Sequence, residues 1–140
     1  MATLKRIFAQ ATLAIVGAAA LVAASPTVAS AAEPTPRNGV CEGGEICFYY
    51  LDDRGGSLSD FTVSVANYGD AQPTCYDFKS AGSGQGQCIK NNAWSAWNRS
   101  SQTVRVYYNS NYGGSYENVT AGTVRNFSTV RDNNASHKFL

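Results

Sequence analysis

Beyond residue 40, β-branched and aromatic residues fall in short runs broken by clusters of Gly, Asn, Asp and Ser, and no stretch sustains the three-and-four spacing of an amphipathic helix. The runs predict strands over Ile46–Leu51, Phe61–Val65, Gln87–Lys90, Ser95–Asn98, Val104–Tyr108, Tyr116–Val119, Val124–Phe127 and His137–Leu140. Many short strands with turn residues between them predict a small all-β sandwich.

The apolar pattern of the N-terminus is of another kind. Lys5 and Arg6 precede an alanine-rich run from Ile7 to Ala24, and small residues continue through Ala32. This is the layout of a secretory signal peptide, with Ala29-Ser30-Ala31 matching the small-x-small cleavage rule. The run is also near the length of a short membrane span, and the cleavage motif decides for removal over a retained anchor. Residues 1–32 are therefore expected to leave, residues 33–40 to form a flexible leader through Glu33-Pro34-Thr35-Pro36, and residues 41–140 to form one domain. The expectation is an extracellular protein with no membrane attachment after cleavage.

Removing Lys5 and Arg6 leaves nine basic residues of eleven against all ten acidic ones, a net charge of −1. A surface so nearly neutral offers no electrostatic footprint for nucleic acid. All four cysteines, Cys41, Cys47, Cys75 and Cys88, lie in the mature part, where an exported chain forms disulfides. Three connectivities are open, and the two sequence-local bridges, Cys41–Cys47 and Cys75–Cys88, are the favoured set. Zinc is the rival reading, but the spacings are not of the C-x2-C type and His137 is the lone histidine.

The chain repeats itself. Tyr49-Tyr50 followed by Gly55-Gly56-Ser57 recurs 58 residues later as Tyr107-Tyr108 followed by Gly113-Gly114-Ser115. Each copy is trailed by an Asn/Asp-rich segment ending in serine, Asn91-Asn92-Ala93-Trp94-Ser95 and Asp132-Asn133-Asn134-Ala135-Ser136. Two motifs recurring in one order indicate duplication. The first copy is longer because it carries Cys75, Cys88 and the run Gly82-Ser83-Gly84-Gln85-Gly86.

Tyr107-x-x-x-x-Tyr112-x-Gly114 resembles the signature of the β/γ-crystallin Greek key, in which an aromatic ring packs on a glycine of positive φ. The first copy matches at Tyr49 and Gly56 but has Arg54 at the second aromatic position. From Cys41 to Leu140 the chain also resembles the secreted bacterial peptidase inhibitor family 36, whose fold is β/γ-crystallin-like. The residues carrying this are Cys41 through Tyr50, Gly84-Gln85-Gly86-Gln87 leading into Asn91-Asn92, Val104–Ser115, and Asn134-Ala135-Ser136-His137-Lys138-Phe139. The resemblance implies a monomeric Greek-key β-sandwich of two duplicated motifs that inhibits a secreted protease, in particular a metalloprotease, by presenting a rigid loop. Inhibitory members place that loop in the second half under its own disulfide, whereas no cysteine follows Cys88 in this chain. The Cys75–Cys88 loop is the candidate instead, with Tyr76 and Phe78 as its contact residues.

The two Asn/Asp-rich segments resemble the calcium motif of β/γ-crystallins except at the last position, where Ala96 and His137 replace a second serine. The resemblance implies that each motif is completed by the hairpin loop of the other copy. Asp52 and Asp53 would then serve Asp132, Asn133 and Ser136, and the Asn109–Ser115 loop would serve Asn91, Asn92 and Ser95. Against this stands the reading that these side chains only satisfy turn backbone groups. No cofactor is required by the fold, and a calcium-stabilised extracellular binding or structural module without inhibitory activity is the alternative function. Catalysis is not expected: nothing marks a triad around His137, and Asp52 and Asp53 are adjacent acids that point apart in an extended segment. Trp94 and Trp97 read as packing residues in preference to sugar platforms.

Overall fold

The first sheet is organised around a strand with no exposed residue. In β1 (Ile46–Tyr49) every position is buried, because it pairs antiparallel on both sides, with β2 (Leu58–Phe61) and with β3 (Ser95–Asn98). A central strand covered on both faces must be apolar throughout, which Ile-Cys-Phe-Tyr satisfies. The computed structural model describes residues 17–26 and 32–140. Residues 32–140 form one unit, distinct from residues 1–31. Most of the expected export signal, including Lys5, Arg6 and the cleavage motif, lies outside the described residues. Among those described, no helix is long and apolar enough to cross a membrane.

The second copy builds the second sheet from β4 (Val104–Asn109), β5 (Gly113–Val119) and β7 (Ser136–Phe139), in the order β5-β4-β7. Its remaining strand, β6 (Val124–Asn126), leaves for the first sheet and pairs with β3, giving the order β2-β1-β3-β6. The first copy reciprocates at one point, where Val65 bridges to His137 on β7. Each duplicated motif thus lends backbone pairing to the other's sheet. The all-β duplicated sandwich expected from the repeat is the fold observed.

Between the sheets lies one core. Phe48 meets the rings of Phe61, Tyr68, Phe127 and His137 at centroid distances of 5.3 to 6.3 Å. Val104 and Val106 on β4 and Val119 on β5 close it from the other side. Each of these side chains contributes about 1.5–3 kcal/mol by leaving water.

Two buried acids meet different fates. Glu117 accepts hydrogen bonds from Arg125 and from the N–H groups of Ser128 and Val130, which tie β5 to the chain leaving β6. Burial alone would raise its pKa, but these donors outweigh it and hold the carboxylate below its ordinary range. Glu45 has the Glu42 N–H on one oxygen at 2.7 Å and, among the described residues, no partner for the other, and burial pushes it up to about 7.

The structure corrects the sequence reading in three places. β2 begins at Leu58, three residues before the expected Phe61, because Ser59 and Asp60 are buried polar residues whose partners come from afar. The Asp60 carboxylate accepts the N–H groups of Asn38 and Gly39, and the Ser59 hydroxyl donates to the Asp77 carbonyl. Gln87–Lys90 is not a strand; its only ladder contact is an isolated bridge between Cys88 and Asp77. The segment 33–40, expected as a flexible leader, is fastened to the domain through Arg37. Its guanidinium lies 4.5 Å from the Phe61 ring centroid and 5.1 Å from that of Tyr76, and it donates to the Asp77 carbonyl at 2.9 Å. A planar cation satisfied by two rings and a carbonyl holds the chain in place.

Candidate functional site

The inserted segment of the first copy is closed at its base by Cys75–Cys88, with a Cα–Cα distance of 5.6 Å, while Cys41–Cys47 closes the turn before β1. No free cysteine remains. Around the Asp77–Cys88 bridge the two sides of the loop are hydrogen-bonded: Phe78 N–H donates to the Gln87 carbonyl, Gly86 N–H to the Phe78 carbonyl and, just beyond the disulfide, Ile89 N–H to the Tyr76 carbonyl. The strand expected over Gln87–Lys90 is replaced by these turn-type bonds around the single Asp77–Cys88 bridge. The disulfide limits the unfolded chain's freedom and these bonds fix what remains.

The tip of this loop lies against the first hairpin. Ser57 N–H donates to the Ser83 carbonyl at 2.9 Å. Gly84, at φ +85°, approaches Tyr50 so closely that a Cβ would stand 2.3 Å from the ring. The glycine run is thus a cover for an aromatic ring, and only glycine permits the contact. The side chains of the loop divide in the same way. Phe78 is 1% exposed and packs edge-on against Tyr50 at 5.6 Å. It therefore serves the core and is not a contact residue, contrary to expectation. Tyr76 is 38% exposed and rests on Phe61 and Arg37. Beside it, burial raises the Asp77 pKa, but hydrogen bonds from Lys79 and Gln72 and the charge of Arg37 outweigh that and lower it.

Asp52 and Asp53 lie in a 3-10 turn, Asp52–Arg54, after β1. Both carboxylate oxygens of Asp52 accept Arg131 Nη1, at 2.8 and 2.9 Å. Asp53 Oδ1 accepts the Asn126 amide at 2.8 Å, and Asp132 Oδ1 accepts the Trp94 indole N–H at 2.5 Å. The first hairpin does meet the second copy's Asn/Asp segment, but through Arg131, the residue before it. The serines behave differently from the expectation, each closing the loop of its own copy. Ser95 Oγ donates to the Leu51 carbonyl and accepts the Arg54 N–H; Ser136 Oγ donates to the Asn109 carbonyl and accepts the Tyr112 N–H. Asn92 donates to the Cys88 carbonyl, Asn133 to the Arg131 carbonyl, and the Asn91 N–H to the Asn134 carbonyl.

These bonds test the calcium grouping. Asp52 already faces a cation, and Asp53 and Asp132 already accept hydrogen bonds from within the chain. Among the described residues no three His, Cys, Asp or Glu side chains converge on one point. The Asn91, Asn92 and Ser95 grouping contains no carboxylate, and its Asn92 amide and Ser95 hydroxyl already donate to the Cys88 and Leu51 carbonyls. As arranged, neither grouping fits calcium.

His137 is fully buried, with Nδ1 at 2.9 Å from the Tyr68 hydroxyl and Nε2 at 2.8 Å from the Val63 carbonyl. Burial drives its pKa down to about 4. Its two ring nitrogens are committed to Tyr68 and Val63, so it has no serine to activate. The tryptophans also depart from expectation, since neither lies in the core. Trp94 has Arg131 at 4.0 Å from its ring centroid, and Trp97 has Arg54 and Arg99 each at 4.7 Å. Arg131 could have been flagged in the sequence by its place directly before the Asn/Asp motif; Arg37, inside a proline-rich segment, carried no comparable signal.

The model of peptidase inhibitor family I36 matches residues 34–119. No curated protein matches the sequence. Among solved structures, a β/γ-crystallin from Ciona intestinalis superposes with a TM-score of 0.52 at 17% identity, covering 69% of this chain and 100% of that one. The N-terminal domain of Protein S gives a TM-score of 0.50 at 19% identity over 69% of this chain and 94% of that one. A structure described as the evolution of the eye lens β/γ-crystallin domain fold gives 0.52 at 10% identity over 79% and 93%. At these identities the likeness is one of fold.

Proposed function

The chain belongs to peptidase inhibitor family I36, and from that premise we propose that it is an exported, monomeric binding protein whose Cys75–Cys88 loop docks on an extracellular metalloprotease. The family and the crystallin-type fold both suggest a binding role over a catalytic one. Two disulfides are compatible with the space outside the cell.

The observation that carries the reading is the position of Tyr76. Its backbone is held by the Ile89 N–H and by a disulfide at its neighbour Cys75, and its ring is propped by Phe61 and Arg37 while remaining over a third exposed. An aromatic side chain already fixed in place loses little freedom on binding, which is what a competitive loop requires. The Arg37 clamp makes the N-terminal segment part of the same support.

The test is titration of the mature protein into a thermolysin-type metalloprotease and, in parallel, a subtilisin-type serine protease. Stoichiometric loss of metalloprotease activity that disappears on reduction of Cys75–Cys88 supports the proposal. Undiminished activity of both enzymes beside an intact protein would reject inhibition and leave a binding module.

A further inference from the structure

We infer that Arg131 is the built-in cation of the contact between the two copies, and that the domain folds without calcium because the guanidinium takes up the Asp52 carboxylate that a divalent ion at this contact would need. Three contacts define the arrangement. Arg131 Nη1 lies 2.8 and 2.9 Å from the two oxygens of Asp52, its guanidinium carbon lies 4.0 Å from the Trp94 ring centroid, and the Trp94 indole N–H donates to Asp132 at 2.5 Å. Guanidinium, indole and two carboxylates therefore link the first hairpin, the entry to β3 and the second copy's Asn/Asp segment. Backbone bonds follow the same path, from Asp132 N–H to the Ala93 carbonyl and from Phe127 N–H to the Trp94 carbonyl.

The charges explain why one cation excludes the other. A guanidinium engaging both oxygens of Asp52 leaves that carboxylate little capacity to ligate, and an ion placed beside it would be repelled by a like charge at contact distance. Arginine is also always protonated, so the link persists at any pH at which Asp52 is ionised. Calcium would have to displace a cation that is tethered to the chain and further held by an aromatic face.

The experiment uses the mature protein and two readouts: melting temperature in millimolar calcium against chelator, and terbium luminescence sensitised by tryptophan. For the native chain the expected results are equal melting temperatures and no sensitised emission. In Arg131→Ala the melting temperature in chelator falls by about 4 °C, as for loss of a partly exposed ion pair. Calcium then restores part of it, and terbium emission appears through Trp94. Arg131→Gln, which keeps a stem over Trp94, replaces Arg131→Ala should that variant fail to fold. A calcium-raised melting temperature or terbium emission in the native chain would overturn the inference. So would a folded Arg131 variant that responds to neither ion, since the guanidinium would then occupy no cation position.

Discussion

The guanidinium of Arg54 lies 4.7 Å from the ring centroid of Trp97, and the corresponding pair in the second copy has its roles exchanged. There the hairpin position holds Tyr112 and the strand position holds Lys138, with the ammonium 5.4 Å from the ring. Arg54 and Tyr112 are separated by the 58-residue repeat, and Trp97 and Lys138 each follow the motif serine by two. Both hairpin residues are left-handed, at φ 63° and 59°. The missing aromatic of the first hairpin has been moved to the strand opposite, and a cation–aromatic contact is kept in both halves.

A double-mutant cycle on Arg54→Ala and Trp97→Ala should therefore return a coupling of about 0.5–1 kcal/mol in urea unfolding, with a similar value for Lys138 and Tyr112. Additive effects in both cycles would show that the contacts contribute nothing to stability.

Gly84 and Gly86 have nearly the same φ, 85° and 82°, yet only Gly84 has its missing Cβ occupied, by Tyr50. Gly84→Ala is expected to lose about 3 kcal/mol or more, and Gly86→Ala only about 1 kcal/mol from backbone strain. Equal losses, measured by chemical denaturation, would mean that the Tyr50 ring simply moves aside.

Tyr76 and Phe78 flank Asp77 but do different work. Phe78→Ala should lower stability by about 3–5 kcal/mol, as expected for a buried aromatic ring. Tyr76→Ala should cost less, about 1–2 kcal/mol for its contacts with Phe61 and Arg37, while weakening protease inhibition at least tenfold. Inhibition surviving Tyr76→Ala would place the contact elsewhere.

Two buried groups give opposing pH dependences. Glu45, near Asp60, Glu42 and Arg99, is raised to about 7, so between its unfolded value near 4.5 and pH 7 the native state holds a proton the unfolded state has lost, and stability falls as pH rises. His137, in contact with Tyr68 and the Val63 carbonyl, is lowered to about 4. Between pH 4 and 6.5 it is the unfolded state that holds the extra proton, so stability rises with pH. The native chain should be nearly flat from pH 4.5 to 6.5, whereas Glu45→Gln should rise across that window and be more stable than the native chain at pH 7 by about 1–3 kcal/mol. Parallel pH profiles for the two proteins would refute the assignment to Glu45.

The fold was legible because its signals are local or repetitive. Strand β3, Ser95–Asn98, could be read to the residue from its own composition, and the 58-residue repeat of Tyr-Tyr and Gly-Gly-Ser announced a duplicated sandwich before any coordinate. The local cysteine pairing was the favoured one of three open connectivities, and the structure has it. β2 was misplaced for the opposite reason: Ser59 and Asp60 look like turn residues until Asn38, Gly39 and Asp77 arrive from other parts of the chain.

The candidate site was legible only as a loop between cysteines. Its composition could not say that Phe78 turns inward onto Tyr50 while Tyr76 stays out, that Arg37 props the exposed ring, or that Gly84 is a lid on an aromatic. The Asn/Asp motifs pointed to calcium because their side-chain oxygens are the right kind, and the arginine beside them carried no warning of where its charge would go. Sequence by itself determined the class of fold, the duplication and the place of the insertion, since those depend on periodicity and spacing along one chain. Tertiary structure alone decided which charges pair and which rings are exposed, because Asp52 and Arg131 are 79 residues apart and meet only where one copy's strand crosses into the other's sheet.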